Sequence, residues 1–275
     1  MSWQNHEGLN AKVVGKIEFA PGNFVLKVAP EDWELADFTP GQYSVLGLPG
    51  KAPRSPYADK EEKNADPEKI IKRAYSIASS SVAKDHLEFY ISTVRSGALT
   101  PRLYNLQIGD KVFLGKKCVG MFTLKDVPDG TNVILIATGT GVAPYISMMR
   151  TLVSTSGLKS KFAVVHGALH SWDLGYSSEL QTLERMSPNF LYMPVVSSPE
   201  EEQIGWNGFK GYVDSAWKSD AFEKKWGFRP TPENTHVFLC GNPLMVKSAL
   251  GFLGDEGFIE HTRQQDGQIH LEKFW

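Results

Sequence analysis

The sequence predicts two domains in tandem: a small antiparallel β-barrel over residues 1–125 and an α/β domain with an open parallel sheet over residues 126–275. Three observations predict this. A chain of 275 residues is long for one core and suits two domains of about 150 residues each. The first half is written in short β-rich runs separated by Pro, Gly and Asp, whereas the second alternates fully apolar runs with helical ones. Short strands closing on themselves suggest a barrel, and strand–helix alternation suggests a parallel sheet covered on both faces.

In the first half the predicted strands are AKVVGKIEF, NFVLKVA, QYSVLGL, RAYSIAS, HLEFYISTV and DKVFLGK. In HLEFYISTV, Leu87, Phe89 and Ile91 alternate with Glu88 and Tyr90, the period of a half-buried strand. Between the third and fourth strands, PGKAPRSPYADKEEKNADPEKIIK is rich in Pro and charge and reads as a solvated loop without a site. After KDVPDG the order becomes strand TNVILIA, helix VAPYISMMRTLVS, strand KFAVVHG, helix SSELQTLERM, strand FLYMPVV, helix YVDSAWKSD, strand THVFLC and helix LMVKSALGFLG. Sheets of this kind take ligands at the carboxyl ends of their strands.

Composition narrows the function. With 41% apolar residues, 22% charged residues and a net charge of −2, neither disorder nor a polybasic surface is indicated, so no nucleic-acid partner is expected. The opening MSWQNHEGLN lacks the basic and apolar regions of a signal peptide, and no apolar run approaches a bilayer span. Cytoplasmic location without membrane insertion is the expectation. Cys118 and Cys240 are the two cysteines, far apart in sequence, which excludes a disulfide framework, a Cys-x-x-Cys zinc site and a plant-type iron–sulfur cluster. His166 and His170 lie near a strand end, but no His-x-x-x-His pair and no Gly-x-Ser-x-Gly elbow occurs, so no metal is expected and the histidines read as structural or surface residues.

Four segments carry chemistry. In KRAYSIASS, Arg73 and Tyr75 share one strand face and Ser76 follows, setting a cation, a ring and a hydroxyl in sequence. In RSGALTPRLYNL, Thr100 before Pro101 predicts a hydroxyl-capped helix start, and Gly97 admits close backbone approach. A helix start of this kind suits a phosphate, an ordinary capped helix being the alternative. In ATGTGVAP, Gly139 and Gly141 sit between an apolar strand and a helix, where backbone amides take a pyrophosphate without side chains. GNPLMVKS lacks the glycine that a P-loop needs before its lysine. In FLCGNPLM, Cys240 ends a strand and Gly241, Asn242 and Pro243 turn into a helix, leaving Cys240 either a structural cysteine or a contact for a cofactor ring.

RAYS with GALTPRL, GTGVAP, CGNP and a terminal aromatic pair resemble the ferredoxin–NADP reductase family, in its bacterial branch, in order over nearly the whole chain. The resemblance implies an FAD-binding barrel, a domain for NADP(H) or NAD(H), and hydride transfer to flavin N5 followed by single-electron transfer to a transient ferredoxin or flavodoxin partner. It implies that Arg73 pairs with the FAD pyrophosphate, Tyr75 stacks on the isoalloxazine and Ser76 bonds near N5. It places Ile91, Thr93, Gly97, Ala98, Leu99 and Thr100 around FAD. Gly139, Thr140, Gly141 and Pro144 hold the nicotinamide dinucleotide with Gly241, Asn242 and Pro243, and Cys240 presses on the nicotinamide. A C-terminal tail returns to the flavin with Phe274 by the isoalloxazine and Trp275 on the adenine. Ser76, Cys240 and Tyr75 are the expected catalytic residues.

The resemblance departs at SSPEEEQIGWNGFKGY and at Leu169, where arginines commonly hold the 2′-phosphate of NADPH. Ser197, Ser198 and Lys210 suit a phosphate, whereas Glu200, Glu201 and Glu202 repel one, so weakened discrimination for NADPH and use of NADH are expected. Lys111, Lys116 and Lys117 are candidates for docking an acidic carrier. A monomer is expected. Two other functions stay open: the reductase component of an oxygenase system, and a flavin-bound subunit without turnover.

Overall fold

A computed structural model describes residues 2–61 and 65–272. The chain divides into two compact units, residues 1–123 with 146–151, and residues 124–145 with 152–275.

In the first unit β1 (Ala11–Ala20), β2 (Asn23–Pro30), β3 (Tyr43–Pro49), β4 (Ile70–Ser76), β5 (Leu87–Ser92) and β6 (Lys111–Leu114) form one antiparallel sheet, ordered β4-β3-β6-β1-β2-β5. The two end strands meet: Ile77 bridges Phe89, and the Ala78 amide donates to the Glu88 carbonyl at 2.7 Å. Closure removes the exposed edges that an open sheet would present. The interior is filled by Phe24, Leu26, Leu46, Leu48, Ile77, Leu87 and Phe89 among others. A single short helix, α1 (Thr100–Tyr104), follows β5.

Two expectations fail here. The strand β5 is buried on both faces, from Leu87 through Ile91. Glu88 is buried because it meets two cations, Arg150 Nη1 at 2.7 Å and Lys27 Nζ at 3.4 Å; paired charge removes the cost of desolvating it alone. The loop before β4 is not merely solvated either. Ala52 and Ser55 are buried, Ser55 donates its amide to Pro101 O at 3.0 Å, and Asp59 donates its amide to Arg95 O at 3.0 Å. Lys51, Arg54, Asp59, Glu61 and Glu68 find fixed partners, so the polar composition marks a stitched segment.

In the second unit β7 (Asn132–Thr138), β8 (Phe162–Ala168), β9 (Phe190–Val196), β10 (Phe209–Lys210), β11 (Thr235–Cys240) and β12 (Ile269–Glu272) make a wholly parallel sheet ordered β10-β9-β8-β7-β11-β12. The helices α2 (Ala143–Ser154, of which residues 146–151 group with the first unit), α3 (Ser177–Met186), α4 (Val213–Trp217), α5 (Ala221–Trp226) and α6 (Pro243–Asp255) connect them. From β7 the chain runs outward through β8 and β9 to β10, then crosses back to β11 on the other side of β7. The topological switch therefore falls between β7 and β11. Its core joins Ile134, Ile136, Val165, Met193, Val237 and Leu239 to Trp217, Phe222 and Leu253 from the helices. β10, β12 and α5 escape prediction because they hold two, four and six residues, too few for a periodic signal.

Candidate functional site

In the first unit β4 pairs along its length with β3, with Arg73 opposite Leu46, Tyr75 opposite Ser44 and Ser76 opposite Tyr43. Arg73 is exposed, and its guanidinium donates to the Lys72 carbonyl at 2.7 Å. Tyr75 is half-buried, edge-on to Phe89 with ring centroids 6.5 Å apart. Burial pushes its phenol well above the ordinary range, against a smaller opposing pull from Arg73. Ser76 is buried. The strand thus presents a cation free of any carboxylate partner among the described residues, beside a ring held neutral by burial.

The segment after β5 supplies amides. Among the described residues the N–H groups of Ala98, Leu99 and Thr100 have no acceptor, an arrangement open to an anion. The expected cap is corrected: Leu99 occupies the N-cap position without a side-chain bond. Thr100 is the first helical residue, and its hydroxyl turns back to Val94, 3.0 Å from the amide nitrogen and 3.3 Å from the carbonyl oxygen. Gly97 closes a turn with its amide on Val94 O at 2.8 Å. Ile91 lies in the core, so only its backbone is available to a ligand. Thr93 donates its amide to Gly22 O at 2.8 Å, and its buried hydroxyl has no partner among the described residues.

Two interlocked turns stand at the switch point of the second unit. After β7, residues Gly139–Val142 form a 3-10 turn leading into α2. Gly139 has φ +53°, a left-handed value that favours glycine. At Gly141 the constraint is space: a Cβ there would lie 2.4 Å from the Cys240 carbonyl oxygen. Gly241 answers from the other turn with φ +137° and a Cβ position 2.3 Å from Thr138 Oγ1. The two turns are bonded as well as packed, since the Asn242 amide donates to Thr138 Oγ1 at 2.8 Å. The Asn242 side chain then accepts from the Leu244 amide at 2.8 Å and caps α6, with Pro243 in the first turn. The 3-10 turn supplies no acceptor to the amides of its first two residues, Gly139 and Thr140. Pro144 is buried in the first turn of α2, where its missing N–H costs nothing.

Three supports escaped the sequence reading. His166 is fully buried with Nε2 3.0 Å from Gly139 O and Nδ1 3.5 Å from the Tyr192 hydroxyl. Burial lowers its pKa to about 4, so near neutrality the ring is uncharged and its single N–H is placed to hold the Gly139 carbonyl. The Tyr145 hydroxyl lies 3.0 Å from Ile136 O and 2.9 Å from Phe238 O, tying α2 across β7 and β11. Thr138 is the third. A histidine beside a strand end gives no sign of which carbonyl it meets.

Cys240 is fully buried, and burial raises its thiol pKa well above the usual range. Its thiol is therefore neutral and no thiolate nucleophile. At the ends of β8 and β9, Ser197 and Ser198 donate their amides to Ala168 O and Leu169 O, each at 3.0 Å. Glu201 lies 2.7 Å from His170 Nε2, and Glu202 accepts from the Ser171 amide and hydroxyl at 2.6 Å each. Glu200 and Lys210 are exposed. Among the proposed docking lysines, Lys111 pairs with Glu31 at 3.5 Å, Lys116 lies over the Trp33 ring and Lys117 is exposed. Phe274 and Trp275 lie outside the described residues. No helix among the described residues is long and apolar enough to cross a membrane.

A closed antiparallel barrel followed by a parallel sheet with paired glycine turns at its switch point defines a two-domain nucleotide-dependent oxidoreductase. Residues 135–250 match the model of the oxidoreductase NAD-binding domain family. The chain is 33% identical over 242 residues to a flavodoxin/ferredoxin–NADP reductase of Buchnera aphidicola subsp. Baizongia pistaciae, covering 88% of this chain and 89% of that one. It is 30% identical to the reductase component of a propane 2-monooxygenase of Mycolicibacterium goodii, over 83% of this chain but 58% of that protein. Among solved structures, a ferredoxin NADP+ reductase from Neisseria gonorrhoeae with bound FAD and NADP superposes with a TM-score of 0.76 at 25% identity, covering 97% of this chain and 98% of that one. The chain belongs to the flavodoxin/ferredoxin–NADP reductase family.

Proposed function

We propose that the chain binds FAD on its first unit and NADPH or NADH on its second, and passes electrons between the nicotinamide and a ferredoxin or flavodoxin. The observation that carries the reading is a pair of exposed-amide turns, one on each unit: the acceptor-free amides of Ala98–Thr100 and the first amides of the 3-10 turn, Gly139 and Thr140, to which the turn supplies no acceptor. Each suits a diphosphate.

The residues present fit a dinucleotide flavin. Arg73 supplies a cation and the Ala98–Thr100 amides supply donors for the diphosphate, Tyr75 an apolar ring face for the tricycle, and Ser76 a hydroxyl next in line. Bound FAD would supply a two-electron acceptor able to release electrons singly. The protein's own work is orientation and exclusion of water, because hydride transfer needs its reacting atoms about 3–3.5 Å apart. Gly139, Thr140 and Gly141 position the nicotinamide dinucleotide, with Cys240, Gly241, Asn242 and Pro243 forming the wall of the second turn. Cys240 lies buried behind this wall with an uncharged thiol, which argues against covalent chemistry. No carboxylate is asked to move a proton.

Anaerobic addition of NADPH or NADH to the yellow protein should bleach the flavin, and cytochrome c reduction should then require an added ferredoxin or flavodoxin. A flavin that stays oxidised would refute the reading in favour of a subunit without turnover. Activity only with an oxygenase component would move the chain to the reading that the monooxygenase reductase suggests.

A further inference from the structure

The loop before β4 is tied to the segment that carries the acceptor-free amides by a buried ionic cluster. Arg102 is 3% exposed and faces Glu61 through both fork nitrogens, Nη1 to Oε1 at 2.7 Å and Nη2 to Oε2 at 3.1 Å. Arg54 Nη1 donates to the same Oε1 at 3.0 Å. Each guanidinium also takes a main-chain carbonyl of the amide segment, Arg54 that of Gly97 at 2.9 Å and Arg102 that of Ala98 at 2.6 Å. Further bonds anchor the pair, Arg54 to Asp59 O and Arg102 to Gly50 O. Glu61 is the shared counter-ion that keeps two cations side by side.

The orientation has a consequence. No peptide bond here is cis, and a trans peptide points its C=O and N–H in opposite directions. With Gly97 O turned to Arg54, the Ala98 N–H faces away from the cluster; with Ala98 O turned to Arg102, so does the Leu99 N–H. The cluster therefore sets the direction of two of the three acceptor-free amides without occupying them.

We propose that Arg54, Glu61 and Arg102 are positioning residues for the flavin diphosphate: they hold the Gly97–Leu99 peptides so that their amides converge on it, though none of the three need touch it. This rests on the reading of the first unit as the FAD site. It gives the loop Gly50–Glu61, which composition marks as solvent-filled, a part in cofactor retention.

The test is equilibrium dialysis of the full chain against FAD and, separately, riboflavin, which has the tricycle but no diphosphate. Glu61→Gln and Arg54→Lys should each weaken FAD binding about tenfold, as loss of a charge-assisted fork predicts, with riboflavin binding unchanged. Glu68→Gln, which breaks the exposed pair with Lys51 on the same loop, should change neither. Equal weakening for both flavins would show general loosening of the barrel and overturn the proposal, as would unchanged FAD affinity. If Glu61→Gln does not fold, Arg54→Lys decides. A parent protein that binds neither flavin would remove the flavin reading itself, and the cluster's proposed role with it.

Discussion

Replacing Gly141 by alanine tests the interlocked turns most directly. The new methyl would sit 2.4 Å from Cys240 O, 2.7 Å from Cys240 C and 2.9 Å from Gly241 Cα. All three are backbone atoms, so no rotamer change relieves them, and carbon contacts need about 3.5–4.0 Å. The two turns must separate by about 1 Å, and a displacement of that size costs about a hundredfold in a reaction that depends on ring placement. Overpacking should also cost about 1–3 kcal/mol of stability. Gly139→Ala is the contrast, because its Cβ would meet nothing within 4 Å and only φ +53° opposes it. That strain is worth about 1 kcal/mol, with the hydride step within a few-fold of the parent. Anaerobic stopped-flow measurement of flavin bleaching, with urea unfolding in parallel, reads both effects. If Gly141→Ala reduced its flavin at the parent's rate while keeping its stability, the turns would not be in the contact described and the placement of the nicotinamide against them would fail.

Thr138→Val removes the acceptor of the Asn242 amide at nearly constant volume; it should cost about 1–2 kcal/mol of stability and raise the KM for the nicotinamide nucleotide, while an unchanged KM would show that the turn holds without this bond. Stability should fall on acidification below about pH 6.5, where His166 and His270 resist protonation when folded, with pKa values lowered by burial to about 4 and about 3. The unfolded chain binds those protons first, so the contribution is complete above about pH 6.5 and is lost toward the folded values, at up to about 1.4 kcal/mol per pH unit for fully buried His166. Urea unfolding at pH 7 and pH 5 checks this, and constant stability would contradict it. Finally, NADPH should be favoured over NADH by less than about a hundredfold, or about 2.7 kcal/mol, because Glu200–Glu202 occupy the segment in which the resemblance leads one to expect arginines for a 2′-phosphate; steady-state rates with both nucleotides decide it.

Each glycine turn was legible from its place between an apolar strand and a helix, although the contacts that demand glycine at Gly141 and Gly241 come from Cys240 and Thr138, remote in sequence. A glycine pair alone is a weak signal that its position between an apolar strand and a helix strengthens, and RAYS on a strand sets its cation and ring on one face by the two-residue period. The order of strands and helices was legible for the same reason, since the period of apolar residues changes visibly after KDVPDG.

Only tertiary structure decided what depends on partners distant in sequence. Glu88 looked like the polar face of a strand, and is buried because Arg150 and Lys27 reach it. Thr100 had the chemistry of a cap, yet its hydroxyl found Val94 closer to hand. His166 gained its place from Gly139, 27 residues away in the chain. The loop carrying Arg54 and Glu61 read as solvated because charge in a sequence says nothing of the counter-charge that will meet it. Local periodicity reports which way a side chain points; whether that direction ends in water, in core or on an opposite charge is settled when remote segments pack.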